Sequence, residues 1–313
     1  MALQNELPYD PGRTGSWLVC KTCGTQFPTD DKRKVTTCLI CDDPRQFVPP
    51  GGQSFISLDV LRSTGHKNIF TPISGNPDLI AINTQPRAAI GQRAILVRTP
   101  ECNVLWDCVT LLDDETISRI EDLGGLNAIV ISHPHYYSTH LEWARAFDCP
   151  VYLAAEDREW LTQLDEKHQV FITRTETMVF GTKVLKLGGH FPGSLVMLFE
   201  GRLLIADTFL ATPSGLGNWD TDAVGTARER PRDMNSFSFM WSYPNMIPLA
   251  PDALEHMWAI LKNYEFGSTH GAFPGMDIVK TPEEMKRRVL ESMQIQIRYS
   301  GHGGHAMLKE TLA

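Results

Sequence analysis

Ile129-Val130-Ile131 is a continuous β-branched run, suited to a strand buried on both faces, and it gives way at once to Ser132-His133-Pro134-His135-Tyr136-Tyr137-Ser138-Thr139-His140. A polar cluster that begins where a buried strand ends falls at a sheet edge, where ligand sites collect. If the chain stays extended, His133 and His135 project to one side and can share a metal ion, with Pro134 stiffening the pair. Taken alone, a His-x-His on a loop is equally a surface pair or a hydrogen-bonding pair in a core. Ser138 is placed to cap a helix carrying Leu141, Trp143, Ala144 and Phe147.

A second constraint lies upstream. Cys20-Lys21-Thr22-Cys23 and Cys38-Leu39-Ile40-Cys41 are two CxxC pairs, and Gly24 follows the first to permit a tight turn. Four thiolates so spaced close a tetrahedral site with no open position, so the ion is structural and folds a segment too short to make its own core. A thioredoxin-type redox pair would open a helix within a βαβ unit, and this segment is loop-like. Zinc is the expected ion, with iron in a rubredoxin-like arrangement as the rival.

Composition narrows the function classes. At 313 residues and 42% hydrophobic, the chain can bury one large domain plus a small appendage. The Pro- and Gly-rich stretch from Asp42 to Ile56 reads as a linker, which places a cysteine-knuckle segment and linker at 1–52 and a catalytic domain at 53–313. A net charge of −8 without a long basic run argues against a nucleic-acid partner. Met1 to Glu6 lacks a basic segment followed by an apolar one, and no apolar run would span a bilayer. The expectation is a cytoplasmic protein with a small-molecule substrate and no membrane partner.

Short strands are expected over 79–83, 93–98, 103–108, 151–153, 177–180, 182–187, 194–199 and 202–207, the last two joined by a Glu200-Gly201 hairpin turn. Helices are expected over 114–123, 139–147, 155–164, 251–263 and 282–298, with an irregular region from Thr208 to Met234 that is either functional or mobile. Ser236 to Tyr243 alternates aromatic and small polar residues, which suits either a packed strand or the lining of an aromatic pocket. Gly301-His302-Gly303-Gly304-His305 reads as an incidental terminal segment.

The pattern of an apolar strand stopping at a metal-capable residue recurs at His190 after Leu187-Gly188-Gly189, at Asp207 after Leu203-Leu204-Ile205-Ala206, and at His270 after Gly267-Ser268-Thr269. Together with Asp107 and the His133/His135 pair, this order resembles the metallo-β-lactamase superfamily, whose signatures run Asp, HxHxDH, Gly-His-x-x-Gly, Asp, His. The resemblance covers roughly residues 53 to 280 and implies an α/β fold of αββα type with the metal site at one edge of two facing sheets. Some superfamily members resemble this chain in carrying an N-terminal four-cysteine knuckle, and fungal lactamases are similar to it.

The second motif departs from the family. Its Asp and final His, which hold a second metal, are here Tyr137 and Ser138. The resemblance therefore implies one catalytic ion, zinc or iron, on His133, His135 and His190 with Asp207 as ligand or as holder of the water. His140 lies two positions beyond the expected ligand and is the candidate to restore a second site. Tyr137 is either a hydrogen-bond donor to a developing oxyanion or a packed aromatic; His270 is either an outer donor or a proton carrier; Asp107 is expected to orient a histidine or a loop. The implied function is hydrolytic opening of a small lactam, lactone or cyclic carbamate such as a benzoxazolinone-type xenobiotic, a detoxification step. The alternatives are an iron-dependent redox enzyme and a non-catalytic metal-binding member of the fold.

Overall fold

The structure is a computed structural model, and it describes residues 8–100 and 102–312. The Met1–Glu6 stretch lies outside them. Two sheets face each other. The first has seven strands in chain order, Lys67–Ile73, Asn76–Gln85, Arg93–Arg98, Asn103–Trp106, Ala128–Val130, Val151–Ala154 and Gln169–Ile172, antiparallel at first and parallel from Asn103–Trp106 onward. The second has six: Glu176–Val179, Thr182–Lys186, Leu195–Phe199, Arg202–Leu204, Ser268–His270 and Asp277–Val279. The change from tight hairpins to parallel crossovers follows from the sequence, because long helical connections first appear after Trp106 in one sheet and after Leu204 in the other.

Alternation along the strands sorts the core into three layers. Leu79, Ala81, Ile95, Val97, Ala128 and Val130 face Val184, Leu195, Met197 and Leu204 between the sheets. Their sequence neighbours Ile80, Ile82, Leu96 and Ile129 point the other way, onto Ile120 of helix Asp114–Asp122 and Leu141 and Ala144 of helix His140–Ala146. On the far side Leu185, Val196 and Leu203 pack against Leu254, Met257 and Leu261 of helix Pro251–Leu261 and Met285, Val289 and Met293 of helix Pro282–Tyr299. Full burial of each such side chain contributes about 1.5–3 kcal/mol. The αββα sandwich expected from the sequence is the observed architecture. No helix among the described residues is long and apolar enough to cross a membrane.

The cysteine segment is not set apart from this body. Strand Val19–Cys20 pairs with Phe55–Ile56 across the expected 52/53 division, and Cys23, Phe27, Cys38 and Ile40 share an apolar cluster with Tyr136, Tyr137 and Leu141. Residues 42–46, expected as linker, instead dock on the 241–245 segment: Asn245 Nδ2 donates to the Pro44 and Gln46 carbonyls over 3.1 and 2.9 Å.

Several local expectations are corrected. Helix His140–Ala146 is capped at Thr139 with no side-chain cap, because Ser138 sits at φ 43° with its hydroxyl 3.0 Å from Thr110 Oγ1. Residues 155–160 form a 3₁₀ helix and not the α-helix expected to Leu164. The Asp157 carbonyl, which an α-helix would offer to Leu161, accepts from Tyr137 Oη over 3.2 Å. The 208–234 region contains strand Leu210–Ala211 and helix Pro213–Leu216, and Arg230 ties its end to Glu291 over 2.8 Å. The terminal segment is folded too, with Met307 buried in the outer core.

Candidate metal centres

Three chain segments that leave strands of the two sheets meet at one edge of the sandwich. Val130 leads to His133, Lys186 to the Gly188-Gly189-His190 turn, and Leu204 to Asp207. Leu195 N donates to the Ser132 carbonyl over 2.9 Å and so joins the two sheets beside the site. Gly189, at φ 94°, must be glycine: a Cβ there would stand 2.5 Å from Thr208 Oγ1. That hydroxyl accepts from His190 N over 3.2 Å and donates to the Gly188 carbonyl over 2.7 Å, linking the His190 and Asp207 loops.

His133, His135, His190 and Asp207 each offer a ligand atom, and these four atoms lie within 4.8 Å of one another in a buried cluster. Asp207 Oδ2 stands 3.5 Å from His133 Nε2, 3.8 Å from His135 Nδ1 and 3.9 Å from His190 Nε2. The two histidines of the pair converge through a turn and not through an extended strand. His133 is extended at φ −170°, Pro134–Tyr136 form a 3₁₀ turn, and the pair presents Nε2 from one ring and Nδ1 from the other.

Two of the three rings, those of His190 and His133, are oriented by a further group. His190 Nδ1 donates to the Trp241 carbonyl over 2.7 Å, which leaves the Nε2 lone pair aimed into the cluster. His133 Nδ1 lies 2.9 Å from Ser132 Oγ, and its Nε2 is buried with no hydrogen-bond partner. A buried nitrogen without a partner, facing two further imidazoles and a carboxylate, fits a divalent ion in a set of three nitrogens and one oxygen. Burial pushes His135 down to about 4 and His190 well below its ordinary value, so both rings are neutral donors at neutral pH. Burial alone would raise Asp207, but the surrounding imidazoles hold it well below the usual carboxylate range.

Asp107 is fully buried outside this cluster. Its Oδ1 accepts from Ser132 N over 2.7 Å, so it orients the residue that contacts His133, and burial raises its carboxyl to about 7. Tyr137, for which the sequence allowed either a donor to an oxyanion or a packed aromatic, is packed, with its hydroxyl donating to the Asp157 carbonyl. The hydroxyl at the site is that of Tyr136, which donates to Asp207 Oδ1 over 2.7 Å. Sequence reasoning missed it because a 3₁₀ turn, which the local pattern does not announce, points the first tyrosine inward.

His270 does not join the cluster. Its Nδ1 lies 2.8 Å from Asp277 Oδ1 and its Nε2 2.9 Å from Ser268 Oγ, so both nitrogens are engaged at its own sheet edge. His140 is also committed: Nδ1 donates to the Tyr137 carbonyl over 2.8 Å and Nε2 accepts from Gln169 Nε2 over 3.0 Å. The candidate second-site positions Tyr137, Ser138, His140 and His270 therefore all spend their polar atoms elsewhere.

The cysteine centre is equally well formed. Cys20, Cys23, Cys38 and Cys41 are buried and unbridged, with Sγ atoms 3.6 Å apart in the Cys20–Cys41 and Cys23–Cys38 pairs. Gly24 N donates to the Cys20 carbonyl over 2.8 Å and Asp42 N to the Cys38 carbonyl over 3.0 Å, which makes two matching knuckles. Burial pushes the Cys23 thiol well above its ordinary value; a cation allows such sulfurs to ionise together. The donor set fits a structural ion, zinc or iron.

No family model matches the chain. A protein of Bacillus subtilis strain 168 described as Uncharacterized protein YmaE is 36% identical over 276 residues, which span 87% of this chain and 93% of that one. Among solved structures, VMB-1 at pH 5.5 is similar at a TM-score of 0.50 and 11% identity, covering 75% of this chain and 99% of that one. The mono-zinc form of the metallo-β-lactamase FIM-1 of Pseudomonas aeruginosa has a TM-score of 0.45 and 14% identity, over 72% of this chain and 95% of that one.

Proposed function

The chain belongs to the family of Bacillus subtilis YmaE and has the fold of the metallo-β-lactamase superfamily, and from that premise we propose that it is a metal-dependent hydrolase. Its substrate in this reading is a small lactam, lactone or cyclic carbamate, with benzoxazolinone-type compounds as the leading candidates. The observation that carries the reading is the convergence of three imidazoles on one carboxylate in a buried cluster. When bound, an ion there supplies an acidified water and a polarising charge.

The protein groups divide the remaining work. Asp207 has one oxygen engaged by Tyr136 and the other facing the imidazoles, so a single oxygen is left to ligate or to take a proton. The Trp241 carbonyl holds the His190 tautomer and Ser132 Oγ steadies the His133 ring, which spares the site reorganisation during reaction. Tyr243 is half-buried beside this carboxylate, its phenol raised first by burial and then by the Asp207 charge, and it packs on Phe273 with ring centroids 6.1 Å apart. Aromatic faces close to this carboxylate suit a flat fused ring, and the net charge of −8 favours a small neutral substrate over nucleic acid.

The reading is tested by incubating zinc-loaded protein with 2-benzoxazolinone, a γ-lactam and a lactone. Ring opening that disappears in His133→Ala, with an unchanged circular-dichroism spectrum, supports it. Opening that persists in His133→Ala, or none in the loaded wild type with any of the three, contradicts it. A second reading, electron transfer at the cysteine centre, is favoured by the four buried sulfurs. A visible iron chromophore that is lost in Cys20→Ala would support it.

A further inference from the structure

Arg45 lies four residues past Cys41, in the segment leaving the cysteine centre, yet its guanidinium reaches the histidine centre. Nη1 donates to the His190 carbonyl over 3.2 Å, and the guanidinium carbon stands 3.8 Å from the centroid of the Phe191 ring. Phe191 in turn packs on all three ligand rings, with centroids 5.9 Å from His133, 5.0 Å from His135 and 5.1 Å from His190. One side chain thus holds both the backbone of a ligand residue and the ring that the ligand residues pack against.

Arg45 is itself fixed from two directions. Asp43 takes it in a fork, Nε to Oδ1 at 2.7 Å and Nη2 to Oδ2 at 2.9 Å, with the two side chains only 13% and 7% exposed. Ser242 Oγ donates to the Arg45 carbonyl over 3.0 Å. The neighbouring Trp241 carbonyl is the acceptor for His190 Nδ1, so His190 is gripped at its backbone by Arg45 and at its ring by Trp241, and these two grips are tied together. A residue that served only to fill space would not bring a charge, and a second charge to neutralise it, into so closed a position.

We propose that Arg45 is a positioning residue of the histidine centre: anchored by Asp43 beside the cysteine turn, it fixes His190 and Phe191 and so sets the affinity of that centre for its ion. The inference rests on the histidine centre being a metal site.

The test uses the full chain loaded with Zn²⁺, from which a mild chelator withdraws the histidine-site ion while the cysteine ion stays; Zn²⁺ rebinding is then read against a chromophoric chelator. Arg45→Met keeps the bulk but loses the fork, and affinity falls about 10–100-fold, the range for losing a group that orients a ligand. Arg45→Lys keeps the charge without the planar fork and stays weakened, and Asp43→Asn weakens binding in the same direction. The unfolding midpoint is measured on the same samples, since a purely structural role would lower it and leave the affinity of the folded molecules unchanged. Wild-type Zn²⁺ affinity in both Arg45→Met and Arg45→Lys overturns the proposal. Failure of the wild type itself to rebind Zn²⁺ overturns the metal-site reading instead.

Discussion

Tyr136 Oη donates to Asp207 Oδ1 over 2.7 Å, across 71 residues of sequence and inside a fully buried site. This contact saturates one carboxylate oxygen and leaves the other facing the three imidazoles at 3.5 to 3.9 Å. The tyrosine therefore decides which way Asp207 points.

Tyr136→Phe removes that restraint. The expected outcome is a loss of about 10–100-fold in zinc affinity at the histidine centre, measured by chelator competition. Tyr137→Phe, whose hydroxyl serves the Asp157 carbonyl, leaves zinc affinity unchanged and costs about 0.5–1.5 kcal/mol of stability by urea unfolding.

Asp277 sets an acid limit on the sheet edge. Burial would raise its carboxyl, but His270 and Arg93, the latter at 2.6 Å, outweigh this and hold it at about 2. A carboxyl depressed in the folded state contributes stability above its unfolded value near 4 and loses it as pH falls from there toward 2. Asp277→Asn is therefore less stable than wild type at pH 6, and the gap between their urea midpoints narrows as pH is lowered below about 4. A gap independent of pH would contradict this assignment.

Gly189→Ala places a Cβ 2.5 Å from Thr208 Oγ1 and 2.8 Å from Leu249 Cδ1, at a φ of 94°. Strain of this kind costs about 1–3 kcal/mol, read as a lower urea midpoint. Because Gly189 precedes His190, zinc affinity at the histidine centre falls with it.

How much of this was legible in the sequence depends on the range of the interaction. The layers were legible, because alternation such as Leu79/Ile80/Ala81/Ile82 assigns faces locally. The glycines confirmed turns: Glu200 and Gly201 both take positive φ, as their hairpin turn requires. The four ligand candidates were marked by strands ending at His or Asp, and they converge. What escaped was which side chain faces the ion. Tyr136 and Tyr137 are adjacent and chemically identical, and only the 3₁₀ turn separates their directions. His270 kept the position of a ligand but pairs with Asp277, seven residues on, a carboxylate whose direction no periodicity encodes. Arg45 carried no signal, since its reach to His190 spans 145 residues.

With one ion on four cysteines and a single ion on three histidines and Asp207, metal stoichiometry is the decisive measurement. Elemental analysis of zinc-loaded protein is predicted to give two ions per chain in wild type and one in His133→Ala, the remaining ion being lost only when Cys20→Ala is added. Three ions in wild type, or an unchanged count in His133→Ala, would contradict the account.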